Sequence, residues 1–310
     1  MTMRRLPAVL AAAGVLVAGS VSGVPALADG GGRAPAGTGV SAIFDEIYDD
    51  GFAANNANVP FRKFDIVYVA FGHIDPRTLK FGFEKKVGVS VERARLKQLK
   101  QKTRTLRKAG RLKLVMSLGY GPQETDAAGN PLLEKNPAKT AASIRRFLDA
   151  NNLDGFDIDY EDPLFSNAAA FRDVTRELRG ALGRRLLLTI TPNTTESLVG
   201  GVLNRKYDWV NAQSYNASGD APFDVTDLLD LGVKPRKVVA GGDVTNRNNY
   251  REDRNRVAWA IDQFRRYGLG GVFLWQMQPM TQRLPEDGPT MRQYVRQVYT
   301  ATHGPTDGRG

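Results

Sequence analysis

The sequence predicts an α/β fold, a (β/α)8 TIM barrel, from the order and number of its apolar segments. From Val40 onward, short apolar runs alternate with longer amphipathic ones, and there are eight of the short runs. Strands that are apolar throughout indicate a parallel sheet that is buried on both faces. About 270 residues follow the amino-terminal region, which suits one such barrel. An open doubly wound sheet is the alternative, but the glycine-rich phosphate turn expected after its first strand is missing from residues 44–47.

The predicted strands are short and aliphatic, whereas the predicted helices repeat apolar residues every three or four positions, as in Leu96, Leu99 and Leu106. The predicted strands are Val40–Phe44, Ile66–Gly72, Leu112–Gly119, Gly155–Glu161, Leu186–Thr191, Trp209–Tyr215, Val238–Asp243 and Gly271–Gln276. The predicted helices are Val91–Lys108, Ala138–Asn151, Asn167–Leu182, Glu196–Asn204, Val225–Leu231, Glu252–Tyr267 and Thr290–Thr300.

The fourth predicted strand lies in the stretch LDGFDIDYE, residues 153–161, where acidic and apolar residues alternate. Successive side chains of a strand point to opposite faces, so Asp157, Asp159 and Glu161 share one face and the aromatic and aliphatic residues share the other. Three neighbouring carboxyl groups repel one another when ionised, so we expect at least one to stay protonated near neutral pH, as acid catalysis requires. Asp154 has the opposite parity, and we expect it to be structural.

Two other interpretations of this stretch are a solvated edge strand and a calcium-binding loop. The apolar opposite face argues against an edge strand. Phe, Ile and Tyr between the acids favour an extended chain rather than the tight turn of a calcium loop. Because active sites of barrels form where the strands end, Glu161 is placed at the expected position for chemistry.

The amino terminus has the features of a secretory signal peptide. Arg4 and Arg5 precede an apolar stretch, Leu6–Ala18, and residues 26–28, Ala-Leu-Ala, fit a cleavage site. We expect residues 1–28 to be removed on export to the extracellular medium, by the general or the twin-arginine route. Further domain boundaries are expected as a disordered leader at 29–39, a single barrel at 40–303 and a flexible tail at 304–310.

Composition narrows the possible chemistry. The chain has no cysteine and only two histidines, His73 and His303, so thiol chemistry is excluded, and a histidine zinc site or a Ser-His-Asp triad is poorly supplied. Carboxylates remain the candidate reactive groups, and no metal or cofactor is expected. The formal charge is +10, or +8 after loss of Arg4 and Arg5. We interpret it as solvated helix surface, with adsorption to an anionic cell wall as the alternative.

The stretch Asp154 to Glu161 resembles the Asp-x-x-Asp-x-Asp-x-Glu signature of family-18 glycoside hydrolases, the chitinases and related endo-N-acetylglucosaminidases. Three further segments resemble family motifs. Ser117-Leu-Gly119 is similar to a Ser-x-Gly-Gly motif on the third strand, Gln213-Ser-Tyr215-Asn216 to a tyrosine motif on the sixth, and Trp275 to the tryptophan that ends the eighth. The resemblance therefore extends over most of the predicted barrel.

The resemblance implies a retaining, substrate-assisted mechanism in which the acetamido oxygen of the substrate attacks the anomeric carbon and forms an oxazolinium ion. It implies that Glu161 is the acid and base, that Asp159 holds the acetamido N–H and that Asp157 shares a proton with Asp159. Tyr215 would donate to the acetamido carbonyl. The implied substrate-binding residues are Trp275, Gln213, Ser117, Phe71 and Asn216.

Several of these residues also have plain structural interpretations. Tyr215 and Trp275 could each be an ordinary residue of the barrel core, and Ser117 could serve only to cap backbone groups. The parity of Phe71 is not fixed by the sequence, and His73 is expected to be a loop residue.

The sequence departs from the family pattern at Tyr120, where the second glycine of Ser-x-Gly-Gly would stand. The segment between the seventh and eighth predicted strands is also too short for the inserted α+β domain of larger chitinases. The chain therefore resembles the short, hevamine-like form with an open groove. We expect a monomer that cleaves polymers of N-acetylglucosamine, chitin first, and that binds neither nucleic acid nor membrane. The alternatives are an endo-β-N-acetylglucosaminidase acting on N-glycan cores and a non-catalytic chitin-binding lectin.

Overall fold

A computed structural model of the chain describes residues 39–119, 124–161, 164–215, 217–218, 221–245, 256–284 and 288–305. Eight parallel strands form a closed barrel with helices outside it, which confirms the predicted fold. The predicted signal peptide, nearly all of the leader and most of the tail lie outside the described residues, and these boundaries stay predictions.

The described strands are β1 Val40–Glu46, β2 Ile66–Ile74, β3 Phe81–Phe83, β4 Lys113–Leu118, β5 Gly155–Tyr160, β6 Leu187–Pro192, β7 Trp209–Ala212, β8 Ala217–Ser218, β9 Ala221–Pro222, β10 Val238–Asp243 and β11 Gly271–Trp275. The described helices are α1 Phe52–Asn55, α2 Val89–Lys108, α3 Leu132–Lys135, α4 Pro137–Asn151, α5 Ala168–Leu182, α6 Gly200–Lys206, α7 Val225–Asp230, α8 Arg256–Tyr267 and α9 Met291–His303. Among the described residues, no helix is long and apolar enough to cross a membrane.

The barrel closes because β1 pairs in parallel with β2 on one side and with β11 on the other. All eight predicted strands are present, so the fourth predicted strand is β5, the sixth is β7 and the eighth is β11. Two pairings were not predicted: β3 lies antiparallel to the end of β2, and β8 pairs with β9 in a separate ribbon. These strands are too short to be recognised from their composition.

One helix was predicted to begin within what the structure shows to be a turn. The sequence predicted a helix at Glu196–Asn204, but α6 begins at Gly200. Ser197 has a φ of 61°, a left-handed conformation that a right-handed helix cannot contain. The chain therefore turns before the helix begins.

The apolar residues form two layers that follow the alternation of the strands. The interior of the barrel holds Phe44, Tyr68 and Phe273, with Phe44 stacked on Tyr68 at 4.5 Å between ring centres. The other layer lies between strands and helices and includes Phe156 and Ile158 of β5. Alternate residues of β5 thus face the barrel interior, which orients its acidic residues inward.

Three aspartates link neighbouring strands at the amino ends of the strands. Each stands just before a strand and accepts a backbone N–H from the neighbouring one: Asp65 from Ser41, Asp154 from Leu114 and Asp208 from Leu188. Asp154 also accepts from Arg107 Nε at 2.9 Å. Asp154 therefore ties two strands together at the end of the barrel opposite Glu161.

Candidate active site

The acidic residues of β5 converge at the carboxyl end of the barrel. Asp157 is 0% exposed and Asp159 3% exposed, whereas Glu161, directly after the strand, is half-buried. Asp157 lies deepest, Asp159 is one strand repeat higher and Glu161 is at the rim. The row of acids therefore runs from the barrel interior to solvent.

Hydroxyl groups from two neighbouring strands surround Asp157. Ser117 on β4 donates to Oδ2 at 2.7 Å, and Thr189 on β6 donates to Oδ1 at 2.6 Å. Thr191 lies 3.0 Å from both oxygens. Burial raises the pKa of Asp157 to about 6, while the three hydroxyls act in the opposite direction because they stabilise the carboxylate.

A chain of polar groups extends this network across the barrel. Asn211 Nδ2 donates to Thr191 Oγ1 at 2.9 Å, and Tyr68 OH donates to Asn211 Oδ1 at 3.3 Å. These residues were not predicted to be part of the site. The spacing of Thr189 and Thr191 on one predicted strand was the available signal, because it places both hydroxyls on one face.

Gln213 fixes the position of Asp159. Its Nε2 donates to Asp159 Oδ1 at 2.8 Å and to the carbonyl oxygen of Thr191 at 2.9 Å. The pKa of Asp159 is raised, first by burial and then by the charges of Glu161, Asp157 and Glu46. No hydrogen bond joins Asp159 to Asp157 among the contacts of the described residues, so the expected sharing of a proton remains a proposal.

Glu46, at the end of β1, is a further acid that the sequence analysis did not identify. Its charge contributes to the raised pKa of Asp159, so the two carboxyl groups face the same end of the barrel. The pKa of Glu46 is itself raised, mainly by burial, although Tyr48 OH donates to its Oε1 at 2.5 Å. Its position two residues after the first predicted strand was the available signal, because active sites of barrels form where the strands end.

The hydroxyl of Tyr215 has no hydrogen-bond partner among the described residues. The side chain is 3% exposed, and its ring packs edge-on against Phe273 with 6.0 Å between ring centres. Burial raises the pKa of Tyr215, and the nearby charges of Asp159 and Glu161 raise it further. The hydroxyl therefore keeps its proton and is available as a donor to a bound molecule.

Aromatic rings form the wall beside the acids. Trp275 is half-buried and stacks with Phe71 at 6.0 Å between ring centres, while Phe44 meets it edge-on at 5.5 Å. The chain thus turns Phe71 toward the barrel interior. The peptide bonds Ala70–Phe71 and Trp275–Gln276 are cis. Apolar rings next to a few buried polar groups are the usual lining of a small-molecule binding site.

The predicted site residue Asn216 is outside the described residues, and so is Tyr120. His73, which was expected to be a loop residue, is instead part of β2, and its Nδ1 is 2.6 Å from Oε1 of Glu124. Within the described ranges, no group of three or more His, Cys, Asp or Glu side chains is arranged to hold a metal ion.

The fold and the acidic site define a glycoside hydrolase. A family model described as "Glycosyl hydrolases family 18" matches residues 46–256, which include every acid of the site and most of the barrel. The chain belongs to this family, and the short form without an inserted domain agrees with residues 244–270 joining β10 to β11 through α8. No curated protein sequence matches the chain.

Solved structures with this fold include several chitinases. A chitinase from Bacteroides thetaiotaomicron is 14% identical, with a TM-score of 0.63 over 88% of this chain and 98% of that one. Catalytic domain 2 of the Group II chitinase of Ostrinia furnacalis is 13% identical, with a TM-score of 0.65 over 87% and 97%. A family GH18 chitinase from Cycas revoluta, in complex with allosamidin, is 15% identical, with a TM-score of 0.62 over 85% and 99%. At these identities the likeness shows the fold alone.

Proposed function

We propose that this glycoside hydrolase cleaves the β-1,4 bonds of chitin or chitooligosaccharides by a retaining, substrate-assisted mechanism. One observation carries the proposal: the hydroxyl of Tyr215, which has no hydrogen-bond partner among the described residues, and the carboxyl group of Asp159, whose pKa is raised, face the same space at the end of the barrel, beside Glu161. An amide offers an oxygen acceptor and an N–H donor, which these two groups match. An N-acetyl group of the substrate is therefore the fitting ligand.

Glu161 is the proposed acid and base. It is half-buried at the rim of the site, within reach of both a glycosidic oxygen and water. Its proton would pass to the leaving sugar oxygen as the acetamido oxygen bonds to the anomeric carbon and the glycosidic bond breaks. The resulting carboxylate would then take a proton from water as the water oxygen bonds to the anomeric carbon and the bond to the acetamido oxygen breaks. Glu161 can perform both steps because the leaving oxygen and the attacking water occupy the same side of the anomeric carbon in turn.

Asp159 and Tyr215 are proposed to hold the acetamido group in line for attack. Tyr215 donates to the carbonyl oxygen, and Asp159 accepts from the N–H and stabilises the positive charge of the oxazolinium ion. Gln213 keeps Asp159 in place, and Asp157 lies beneath it with its hydroxyl partners. Trp275 and Phe71 are proposed to form the apolar surface under the sugar ring.

The enzymatic interpretation is favoured over a lectin because Glu161 is retained. The solved chitinase of Cycas revoluta was also crystallised with (GlcNAc)3 and (GlcNAc)4, which supports oligomers of N-acetylglucosamine as the first substrates to test. N-glycan cores contain the same linkage between two N-acetylglucosamine units and are the second substrate class.

The decisive experiment measures hydrolysis of a chitin hexamer and of a high-mannose glycoprotein by the wild-type protein and by Glu161→Gln. We expect cleavage of the hexamer with retained anomeric configuration, and loss of activity with preserved binding in the variant. Glu196→Gln is the matched control, because Glu196 is an exposed glutamate that follows β6 at the same end of the barrel. Glycan release without hexamer cleavage would replace chitin by N-glycans, and full activity of Glu161→Gln would refute the assignment of the acid.

Export and a monomeric state are also proposed. They rest on the signal-like residues 1–28 and on the expectation of a single barrel. Expression in a secreting host should release a protein that begins at Asp29, as intact-mass measurement would show. Size-exclusion chromatography with light scattering would test the monomer.

A further inference from the structure

Two clefts lined mainly by Lys and Arg open at the amino ends of the barrel strands, opposite the acidic site. The first is formed by the carboxyl-terminal half of α2 and the residues before β5, with a volume of about 510 Å³. The second lies where α5 and α6 end and β10 begins, with a volume of about 720 Å³. Neither contributes to the proposed catalysis.

The first cleft contains more cations than its acids can neutralise. The residues that line it include Lys97, Lys100, Arg104, Arg107, Lys108 and Asp154. Asp154 pairs with Arg107, and the other four cations form no ion pair with any described residue. The pKa of Lys100 is lowered, by burial and then by the positive charge of Arg107. A bound anion would reduce the electrostatic repulsion among these cations.

The second cleft has the same imbalance. The cations that line it are Arg176, Arg179, Arg184, Arg205, Lys206 and Lys237. Asp208 pairs with Arg179, and Arg176 pairs with Asp173 and Glu177 on its own helix. Arg184, Arg205 and Lys206 are exposed and form no ion pair within the described part of the chain. Three cations are thus free to bind an external anion.

The charge of the barrel is therefore divided between its two ends. Glu46, Asp157, Asp159 and Glu161 stand at the carboxyl ends of the strands, whereas the two basic clefts stand at the amino ends. An anionic surface would attract the amino end and repel the carboxyl end. Binding by the basic clefts would consequently turn the catalytic groove away from that surface.

We propose that the amino end of the barrel is a binding surface for a polyanion of repeating phosphodiesters, of the polyol-phosphate type carried by cell walls. Because both clefts lie at one end of the molecule, a single flexible polyol-phosphate chain could place phosphates in both of them. Arg and Lys bind phosphate oxygens through charge-assisted hydrogen bonds, and several weak contacts together give useful affinity. The surface would hold the enzyme at a wall while its groove faces outward.

The clefts favour a polyol phosphate over single-stranded nucleic acid. Single-stranded nucleic acid is held by bases that stack on exposed aromatic rings. Among the described residues that line the two clefts, Tyr207 is the only aromatic one, and it is 1% exposed. The described lining of the clefts can therefore bind charged groups but has no exposed aromatic ring on which a base could stack.

The test measures binding of the full-length protein to insoluble peptidoglycan that carries polyol phosphate, and to the same material after its phosphodiesters are removed with hydrofluoric acid. One variant combines Lys97→Gln, Lys100→Gln and Arg104→Gln, and a second combines Arg184→Gln, Arg205→Gln and Lys206→Gln. The matched control combines Arg77→Gln, Lys80→Gln and Arg292→Gln, which removes the same charge from exposed sites outside both clefts. A short DNA duplex is the second ligand.

We expect binding that requires the phosphodiesters and weakens between about 50 and 200 mM salt. Each cleft variant should bind about tenfold more weakly, whereas the control should bind as the wild type. Chitin-oligomer hydrolysis and thermal unfolding should be unchanged in all three variants. Equal weakening in the control, or equal binding to the treated peptidoglycan, would overturn the proposal. Tighter binding to the DNA duplex would overturn the choice of partner.

Discussion

Gln213 Nε2 donates at the same time to Asp159 Oδ1, at 2.8 Å, and to the carbonyl oxygen of Thr191, at 2.9 Å. Both hydrogens of the amide are used, so the amide cannot rotate without breaking a bond to a buried acceptor. The cost of leaving a buried acceptor unpaired is about 1–3 kcal/mol. Gln213 therefore fixes Asp159 through the backbone of the neighbouring strand.

The first prediction concerns this contact. Gln213→Leu keeps the size of the side chain but removes the donor, so we expect kcat to fall by roughly 10- to 100-fold with a smaller change in KM. Loss of the N–H should raise the pKa of Asp159 further, and the pH–rate profile should move to higher pH. Gln263→Leu, on the outer helix α8, is the control and should leave kcat unchanged. A wild-type pH profile in Gln213→Leu would contradict the positioning role.

The second prediction compares two buried tyrosines, Tyr215 and Tyr160. Tyr215→Phe removes a hydroxyl that has no partner among the described residues, so we expect little change in the free energy of unfolding. We expect kcat/KM on chitin oligomers to fall by roughly 10- to 100-fold.

Tyr160→Phe is the matched comparison, because Tyr160 OH donates to the carbonyl oxygen of Glu196 at 2.7 Å outside the barrel. It should lower the free energy of unfolding by about 1 kcal/mol and leave kcat/KM unchanged. Chemical denaturation and steady-state kinetics measure both effects. If Tyr215→Phe were fully active, the hydroxyl would not hold the substrate.

The barrel could be predicted from the sequence because its eight strands are mostly apolar and all but the first are followed by a helical pattern. The short strands β3, β8 and β9 could not, because two or three residues carry no periodicity. The direction of Phe71 was also unpredictable. The register between β2 and β4 shifts between Val69 and Gly72, so Tyr68, Ala70 and Phe71 all face the interior and strict alternation fails.

The site was only partly predictable. The inward parity of Asp157 and Asp159 follows from alternation along one strand, which is local information. The hydroxyls of Thr189 and Thr191, the amide of Asn211 and the carboxyl of Glu46 reach these acids from other strands. The predicted barrel makes consecutive strands neighbours, but the contribution of these groups also depends on the register between the strands, which local sequence patterns do not give.

The third prediction concerns Asp45, which faces the helices rather than the site. It is 1% exposed, its Oδ1 accepts from Asn56 and its Oδ2 has no hydrogen-bond partner among the described residues. Burial raises its pKa from 3.8 to about 7. The folded state therefore binds this proton more tightly than the unfolded state, and the associated stability is present below pH 3.8 and lost as pH rises to about 7.

Asp45→Asn removes this titration, so we expect the variant to gain stability relative to the wild type as pH rises. The gain should be on the order of 1–3 kcal/mol above pH 7 and small near pH 4. Urea denaturation at both pH values measures it. Asp50→Asn, at an exposed position in the following loop, is the control and should show no such trend. A destabilised Asp45→Asn protein above pH 7 would mean that the carboxylate is bound by the fold.

The last prediction concerns the segment that follows β4, which is tied to β2 by Glu124. Glu124 is 1% exposed, accepts from Ile74 N at 3.1 Å and lies 2.6 Å from His73 Nδ1. The hydrogen bond to Glu124 raises the pKa of His73, and burial raises the pKa of Glu124 to about 7. His73 acts to lower the pKa of Glu124, but burial outweighs it. Because both pKa values are raised, the two groups stabilise the folded segment most at low pH, and this stabilisation is lost as pH rises through them. Amide hydrogen exchange of residues 124–137 should therefore become roughly fivefold faster from pH 6 to pH 8, after correction for intrinsic exchange. Glu124→Gln keeps an acceptor for Ile74 without the charge and should flatten this dependence, whereas an unchanged slope in the variant would place its cause elsewhere.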